Sequence, residues 1–469
     1  MMRNEQFRRL FSLNLYKNRC IPLGEMTFTS DFVNTQEGDL YPILEQQGAV
    51  EEKTGNGVYH FCGGSMVRFF ACHFPYATYT LTLEQLQGAA GVRVGDATIY
   101  LDGNMQLHLQ QPGREETVET NLPFTPGMSL VLTFRTGEVD AYIKAKGRWQ
   151  HVAEFALAGF EKMDHHGVFT KTPAALYVAG EVTVTGLTSC LDSGVCQADI
   201  RPICYEDGTV MVESGKIYLT MTVRMHKYCY QGVFSWVPGT CLLDMTGAIF
   251  YDAGDGIWAN DVAASIKYHR PTGKWLLWVC SFARGHILGH SVMLGDPRFG
   301  LNVADITLME KAEDSSAFMG FFGDEDPDII FDGEKWRMAI CRRDYKIGAY
   351  RYFIFESDDP FTGYRYVGRT AGKEETGGYL RFLDGKCCLI CGAEFNETSQ
   401  YHVYDLDDLS QFSLLRFDYP DGGFRGWGAV MDIPMGSRVR RFHLTFDRYR
   451  GGDYTWSYGN LYCFEGEAL

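Results

Sequence analysis

No stretch of the sequence is apolar over the roughly 20 residues that a membrane-spanning helix requires. Basic residues are also in deficit, because 43 Lys and Arg stand against 59 Asp and Glu, for a net charge of −16. A nucleic-acid backbone is bound through basic patches, so we predict neither a nucleic acid nor a membrane as partner. Residues 1–9 carry charge without a following apolar segment, which predicts no secretory signal.

Cysteine is scarce for a disulfide scaffold, since the chain has 14 in 469 residues. They are scattered, and no Cys-x-x-Cys pair has a matching second pair of the kind that holds structural zinc. We therefore expect reduced, mostly buried thiols in a cytoplasmic protein, with no metal and no cofactor. The sequence does not predict an oligomeric state.

Aromatic residues and glycine are plentiful, with 32 Phe, 27 Tyr, 8 Trp and 52 Gly against only 15 Pro. Aromatic side chains suit pleated, half-buried surfaces and glycine suits turns, so the composition predicts an all-β protein. Within the predicted N-terminal domain, residues 1–190, short apolar strands alternate with turn signals from residue 56 onward, as at 78–83, 97–101 and 129–134. This spacing predicts an N-terminal β-sandwich, and residues 130–155 resemble a laminin-G or concanavalin-like jelly roll. Such a module either binds sugar or braces a catalytic domain.

A different sequence pattern, which repeats roughly every 45–55 residues, begins after a linker at 191–199. Each repeat opens with an acidic or glycine-rich stretch, followed by an apolar strand, a glycine turn and an aromatic strand. The openings lie at 206–212, 258–262, 326–331, 375–382 and 426–430. Five repeats of several strands each predict that residues 191–469 form a five-bladed β-propeller, whose innermost strands line a central channel.

Four of the repeats open with an acid, namely Asp207, Asp261, Asp326 and Glu375. Hydrolysis of a glycosidic bond needs one protonated carboxyl group, which donates its proton to the leaving oxygen. It also needs one ionised carboxylate, which either activates water or attacks the anomeric carbon. Acids on innermost strands would meet at one end of the channel, and their mutual repulsion would raise one pKa while others stay ionised. The pattern therefore predicts an acidic active site.

Residues 199–465 resemble the family 43-type glycoside hydrolases, the five-bladed arabinofuranosidase and xylosidase relatives. The likeness is carried by Asp-Gly-Thr-Val at 207–210, Trp-Ala-Asn-Asp at 258–261 and Asp-Pro-Asp-Ile at 326–329. The resemblance implies that Asp207 is the general base, that Asp326 orients and tunes the acid, and that Glu375 is the general acid. It also implies that Trp258 and Asp261 line the substrate.

Two alternatives stay open at this point. Asp199, followed two residues later by Arg201, competes with Asp207 for the first acid, and Arg201 could bind a carboxylate or orient an acid. Glu374 competes with its neighbour Glu375. Trp427, like Trp258, is a candidate platform for a sugar ring.

The predicted function is a glycosidase that releases a terminal sugar, possibly a furanoside, from an oligosaccharide with inversion at the anomeric carbon. Three other functions remain compatible with the sequence: a non-catalytic glycan-binding propeller, a propeller polysaccharide lyase, and a glycoside phosphorylase. The sequence does not identify the sugar or its linkage, because specificity lies in loops around the channel mouth.

Overall fold

The computed structural model describes residues 4–13, 20–22, 42–55, 57–135, 137–194, 196–224, 229–258, 261–309, 322–344, 346–383, 385–392, 400–419, 427–446 and 460–468. The fold is all-β, as predicted, and its one α-helix within these ranges has four residues. No helix among them is long and apolar enough to cross a membrane. The cysteines whose side chains the structure describes are free thiols.

The chain divides into two compact units. The N-terminal unit comprises Cys20–Asp192 together with Gly256–Trp258, and the propeller unit comprises the remainder. This differs from the predicted boundary in two places. The first strand of the chain, β1 (Asn4–Leu13), belongs to the propeller unit, and three residues from the middle of the chain belong to the N-terminal unit.

The N-terminal unit is built from antiparallel strands and one short helix. Its elements are β2 (Cys20–Pro22), β3 (Ile43–Gly55), β4 (Val58–Cys72), β5 (Ala77–Leu86), β6 (Ala89–Val94), β7 (Ala97–Asp102), β8 (Gln106–Gln111), β9 (Arg114–Glu119), β10 (Met128–Arg135), β11 (Glu138–Ala145), β12 (Arg148–Ala156), α1 (His166–Phe169), β13 (Pro173–Ala179) and β14 (Val182–Asp192). The strands pair in the order β12-β11-β10-β5-β14-β4-β13-β6-β7-β8-β9, with β2 on β14 and β3 on β4. All eight residues of β10 are buried, so this strand lies in the core of the unit. The predicted jelly-roll topology stays a prediction.

The propeller unit begins with β1 and continues with short, regularly spaced strands. These are β15 (Cys196–Pro202), β16 (Cys204–Tyr205), β17 (Val212–Glu213), β18 (Lys216–Arg224), β19 (Cys229–Trp236), β20 (Leu243–Asp252), β21 (Asp261–His269), β22 (Lys274–Ser281), β23 (Ile287–Met293), β24 (Gly300–Asp305), β25 (Thr307–Leu308), β26 (Phe322–Phe331), β27 (Trp336–Asp344), β28 (Ala349–Ser357), β29 (Arg365–Arg369), β30 (Thr376–Leu383), β31 (Lys386–Gly392), β32 (Gln400–Asp405), β33 (Gln411–Phe417), β34 (Ala429–Met435), β35 (Arg438–Phe446) and β36 (Leu461–Ala468), with a 3-10 turn at Phe282–Arg284.

In the described residues these strands form five successive antiparallel groups of four, which we call meanders one to five. They are β15-β18-β19-β20, β21-β22-β23-β25, β26-β27-β28-β29, β30-β31-β32-β33 and β34-β35-β36-β1. The strand β1 completes meander five by pairing antiparallel with β36, and it also pairs parallel with β33 of meander four. The first strand of the unit, β1, therefore lies between its last strand, β36, and the last strand of meander four, β33.

The first strands of the meanders contact one another in a ring. β15 contacts β21 and β34, β21 contacts β26, and β26 contacts β30. The ring closes between β30 and β34, where the amide of Val430 donates to the hydroxyl of Tyr379 at 2.7 Å. Successive meanders with their first strands innermost are the architecture of a β-propeller. Apolar side chains fill the space between meanders, and Trp278, Trp336 and Phe353 share one such cluster.

The first meander starts earlier in the chain than the sequence pattern indicated. Its innermost strand is β15, which ends at Pro202, whereas the predicted opening at 206–212 is mostly a turn. Gly208 has φ 79°, and its amide donates to the carbonyl of Tyr205 at 2.9 Å. Asp207 accepts from the amide of Thr209 at 2.9 Å, which is the usual role of an aspartate in a tight turn.

Candidate active site

The innermost strands of meanders one to four share a bulge at the same position. Register with the second strand of the meander shifts between Ala198 and Arg201, Val262 and Ser265, Glu325 and Asp328, and Thr376 and Tyr379. The residue after the first member of each pair has a positive φ, and these residues are Asp199 (50°), Ala263 (57°), Asp326 (47°) and Gly377 (61°). This left-handed conformation is uncommon for residues other than glycine, so two aspartates are held at strained backbone positions.

Both of these aspartates line one cavity of about 360 Å³, which we call the acidic pocket. A third carboxyl group, that of Glu325, lines the same cavity. The remaining lining residues are Arg224, Cys229, Val262, Phe282, His286, Tyr350 and Trp427. The pocket thus receives three acids from the innermost strands of meanders one and three.

Burial, and then the proximity of the other acids, raise the pKa values of two of them. Burial, and then the negative charge of Asp199, raise the pKa of Asp326 to about 7, although the charge of Arg201 opposes the shift. Burial, and then the charges of Asp326 and Asp199, raise the pKa of Glu325 to about 8. Asp199 itself faces the guanidinium of Arg224 at 3.7 Å. Near neutral pH Glu325 is therefore mostly protonated, and the pKa of Asp326 lies in the same range.

Glu325 has a second polar neighbour in the pocket. The Nδ1 atom of His286 lies 3.1 Å from Oε1 of Glu325, and burial lowers the pKa of this histidine. A neutral imidazole leaves the carboxyl group without a cationic partner there, which is consistent with a protonated Glu325. Neither residue was singled out from the sequence as catalytic. The available signal was that Glu325 immediately precedes Asp326 in the best-matching motif.

The predicted general acid, Glu375, does not line the acidic pocket. It is fully buried, and its carboxylate accepts from the hydroxyls of Thr370 and Tyr404 and lies 2.9 Å from Nδ1 of His402. The residue that occupies the position of Glu325 in meander four is Thr376, because both immediately precede the bulge residue.

Strand geometry explains this placement. Successive side chains of a strand point to opposite faces, so the residue two positions before each bulge residue points away from its neighbour. In meanders one to four these residues are polar and buried: Gln197, Asp261, Asp324 and Glu375. Asp261 pairs with Arg284, and Asp324 pairs with Arg342. The predicted substrate-lining residue Asp261 and the predicted acid Glu375 therefore occupy equivalent positions outside the pocket lining.

Glu374, the alternative to Glu375, is not among the residues that line the acidic pocket either. Its charge, after burial and the charge of Glu325, is among the causes that raise the pKa of Tyr350 to about 12, and Tyr350 lines the pocket. Glu374 also has a positive φ of 51°.

The predicted general base, Asp207, lines a different cavity. This second cavity of about 450 Å³ is also lined by Arg201, Lys267, Asp328, Arg381 and Asp432. Asp207 forms an ion pair with Arg270 at 2.5 Å. Burial acts to raise its pKa, but hydrogen bonds from Thr209 and Arg270 hold it below the usual value. The structure thus does not bring Asp207, Asp326 and Glu375 together, because β15 carries the chain from one cavity to the other.

The three remaining predicted residues have separate surroundings. Arg201 is 3% exposed and donates to the carbonyls of Ile200 and Gly378, at 3.1 and 2.8 Å. Trp258 is buried within the N-terminal unit, where its ring contacts those of Phe74 and Phe169, so it does not line the acidic pocket. Trp427 does line it.

No group of three or more His, Cys, Asp or Glu residues within the described ranges is arranged to hold a metal ion.

Comparison with known proteins gives structural neighbours only. No model of a protein family matches the chain, and no curated protein does. Among solved structures, the chain is similar to Zg3597, a family 117 glycoside hydrolase of Zobellia galactanivorans, with 14% identity over 58% of this chain and 85% of that one and a TM-score of 0.42. The α-L-arabinofuranosidase PaAbf62A of Podospora anserina shows 12% identity over 59% and 92%, with a TM-score of 0.39.

A levansucrase of B. subtilis shows 12% identity over 57% of this chain and 82% of that chain, with a TM-score of 0.41. A GH43 β-1,3-galactosidase is also among the similar structures. The resemblance to family 43-type glycoside hydrolases is therefore confirmed as a likeness between structures.

Proposed function

We propose that the chain is a glycoside hydrolase with a five-bladed propeller, whose blades are the five meanders and whose active site is the acidic pocket. One observation carries the proposal. Asp199, Glu325 and Asp326 line a single cavity, and two of them have pKa values raised to about 7 and about 8. Acid–base hydrolysis of a glycosidic bond requires a carboxyl group that stays protonated near neutral pH, together with a second carboxyl group that acts as the base.

The roles follow from the surroundings of each acid. Glu325, whose pKa is raised to about 8, donates its proton to the leaving oxygen as the bond from that oxygen to the anomeric carbon breaks. Asp199, opposite Arg224, accepts a proton from the water that attacks the anomeric carbon. Direct attack by water inverts the configuration. In this proposal Asp199 replaces Asp207 as base, and Glu325 replaces Glu375 as acid.

Asp326 is a positioning residue in this scheme. Its charge is the largest cause after burial of the raised pKa of Glu325, so it keeps the acid protonated at neutral pH. Trp427 supplies an aromatic surface in the pocket wall, against which the C–H face of a sugar ring packs. A volume of about 360 Å³ lies near the lower end for ligand pockets and suits release of one terminal sugar at a time.

The same lining weighs against two alternatives. A lyase acting on a uronate, or a phosphorylase using phosphate, must attract an anion, and this requires cationic side chains. Among the described lining residues, Arg224 is the one Lys or Arg, against three acids. A neutral sugar substrate fits this charge distribution better.

The test is a panel of 4-nitrophenyl glycosides, including arabinofuranoside, xylopyranoside, galactopyranoside and fructofuranoside, on the wild type and Asp199→Asn. We expect hydrolysis of at least one by the wild type and a loss of about 10²–10⁴-fold in the variant, the usual contribution of a general base. Asp207→Asn, in the second cavity, is the matched control and keeps wild-type activity. No hydrolysis by the wild type, or full activity of a folded Asp199→Asn, would exclude the proposal.

A further inference from the structure

The N-terminal unit has a cavity of its own. It is a groove of about 560 Å³ lined by β3, β4, β13, β6, β7 and β8. Its polar lining residues include Gln47, Arg93, Thr98, Gln110 and Tyr177. All of them belong to the N-terminal unit, so the groove is complete within it.

One wall of the groove is continuous with a row of aromatic side chains. In the strand register, Tyr177 of β13 lies opposite Gly91 of β6, which lies opposite Tyr100 of β7, which in turn lies opposite His108 of β8. The ring centroids of Tyr177 and Tyr100 are 5.1 Å apart, and those of Tyr100 and His108 are 4.7 Å apart and stacked. All three rings are partly exposed.

Glycine is required at the centre of this row. A Cβ atom at Gly91 would lie 2.0 Å from the carbonyl oxygen of Ile99 and 2.5 Å from Cβ of Tyr100. The absence of a side chain lets the two tyrosine rings meet across the intervening strand. The result is a row of aromatic rings in contact that runs across β13, β6, β7 and β8, or roughly 10–15 Å at the usual strand spacing.

Hydrogen-bonding groups beside this surface are available to a ligand. The side chains of Gln47 and Gln110, and the Tyr177 hydroxyl, have no hydrogen-bond partner in the part of the chain that the structure describes. Burial raises the pKa of Tyr177, so its hydroxyl stays a neutral donor at physiological pH. Planar amides and hydroxyls pair well with the vicinal hydroxyls of a sugar.

The charges of the groove favour an uncharged ligand. Its one Arg, Arg93, already pairs with Glu45 at 2.6 Å, and Asp96 adds a negative charge. An anionic ligand would meet net negative charge, whereas a neutral one would not.

We propose that this groove binds a neutral oligosaccharide chain, with its sugar rings on the Tyr177–Tyr100–His108 row and its hydroxyls on Gln47, Gln110 and Tyr177. The groove is a binding site without catalytic groups, and it does not depend on the activity assigned to the acidic pocket. A chain anchored here would raise the local concentration of carbohydrate around the enzyme.

The experiment is affinity electrophoresis of the full chain carrying Asp199→Asn, so that the polysaccharide stays intact, in gels containing arabinan, xylan, galactan, levan or polygalacturonate. We expect retardation by at least one neutral polymer and none by polygalacturonate. Adding Tyr177→Ala and Gln110→Ala weakens the apparent affinity at least tenfold. Trp149→Ala, a partly buried aromatic of the same unit outside the groove, leaves it unchanged.

Two controls separate this inference from the proposed function. Gln110 is exposed, so Gln110→Ala alone tests the groove if the double variant unfolds. With Asp199 intact, the groove variants hydrolyse a small aryl glycoside as the wild type does. Retardation without any hydrolysis would support the groove and overturn the hydrolase. Retardation by polygalacturonate alone, by no polymer, or equally in the groove variants would overturn the inference.

Discussion

Two cavities formed by described residues of the propeller unit have charged walls. The charges are paired with opposite charges in one cavity, whereas in the other like charges lie close together. In the second cavity, Lys267 pairs with Asp328 at 3.0 Å, Arg381 pairs with Asp432, and Asp207 pairs with Arg270. In the acidic pocket, three carboxyl groups face one arginine, and two of them have raised pKa values.

Removing one partner of a buried ion pair destabilises a fold, whereas crowded like charges cost stability and are retained where chemistry needs a shifted pKa. In the proposed function, the acidic pocket is therefore the catalytic cavity and the second cavity is a structural one. Substitutions in the acidic pocket should change activity and its pH dependence, and substitutions in the second cavity should change stability.

The largest expected effect is that of Glu325→Gln. It removes the proposed acid, so hydrolysis of a substrate with a poor leaving group should fall by about 10²–10⁴-fold. A dinitrophenyl glycoside, whose leaving group needs little protonation, should be affected far less. Wild-type activity should be present below the pKa of about 8 and be lost as pH rises through it, because Glu325 must be protonated; this alkaline limb should vanish in the variant. Equal losses on both substrates would contradict the assignment.

The next effect concerns stability in the second cavity. Lys267 and Asp328 are 3% and 2% exposed, and Asp328 raises the pKa of the lysine against the effect of burial. Lys267→Met leaves a buried carboxylate without its cation, so we expect a loss of about 3–5 kcal/mol in the free energy of unfolding. Combining it with Asp328→Asn should cost less than the sum of the two single changes. Urea denaturation of all four proteins measures this coupling, and strict additivity would show that the pair does not act as a unit.

How far the sequence predicts this arrangement depends on single-residue register. Strand and turn patterns predicted the all-β fold, and the Asp326 motif led to a residue that lines the acidic pocket. They could not decide between Glu374 and Glu375, or identify Glu325 beside Asp326, because each bulge adds a residue and changes which side chain faces the channel.

The sequence pattern also does not predict contacts between segments that are far apart in the chain. Trp258 follows a propeller strand in the sequence, yet its amide donates to the carbonyl of Asp164 at 2.9 Å and its ring packs within the N-terminal unit. Asp207 lies only eight positions after Asp199, but β15 separates the two cavities. A pattern of residue types does not reveal which strand is innermost.

A smaller effect is expected from Asp326→Asn. The charge of Asp326 is the largest cause after burial of the raised pKa of Glu325, so its removal should lower that pKa. The alkaline limb of kcat/KM should then move to lower pH, by about one unit. The amide keeps the size of the side chain, so a fall in activity without a shift of the limb would contradict the tuning role. Asp324→Asn is the control for a neighbouring charge that pairs with Arg342 and contributes less than Asp326 to the raised pKa of Glu325.

The smallest effect, and the one that separates the two cavities most directly, is that of Asp207→Asn. The side chain of Asp207 is 35% exposed and its partner Arg270 is 47% exposed, so solvent screens the pair and its loss should cost less than about 1 kcal/mol. The pKa of Asp207 is below the usual value, so its small contribution is present above the pKa of an unfolded aspartate and is lost as pH falls through the lower folded value. We therefore expect wild-type kcat/KM across the neutral range and a melting temperature within a few degrees of the wild type. If Asp207→Asn abolished hydrolysis in a folded protein while Asp199→Asn did not, the catalytic cavity would be the second one, and the roles given to the two cavities would have to be exchanged.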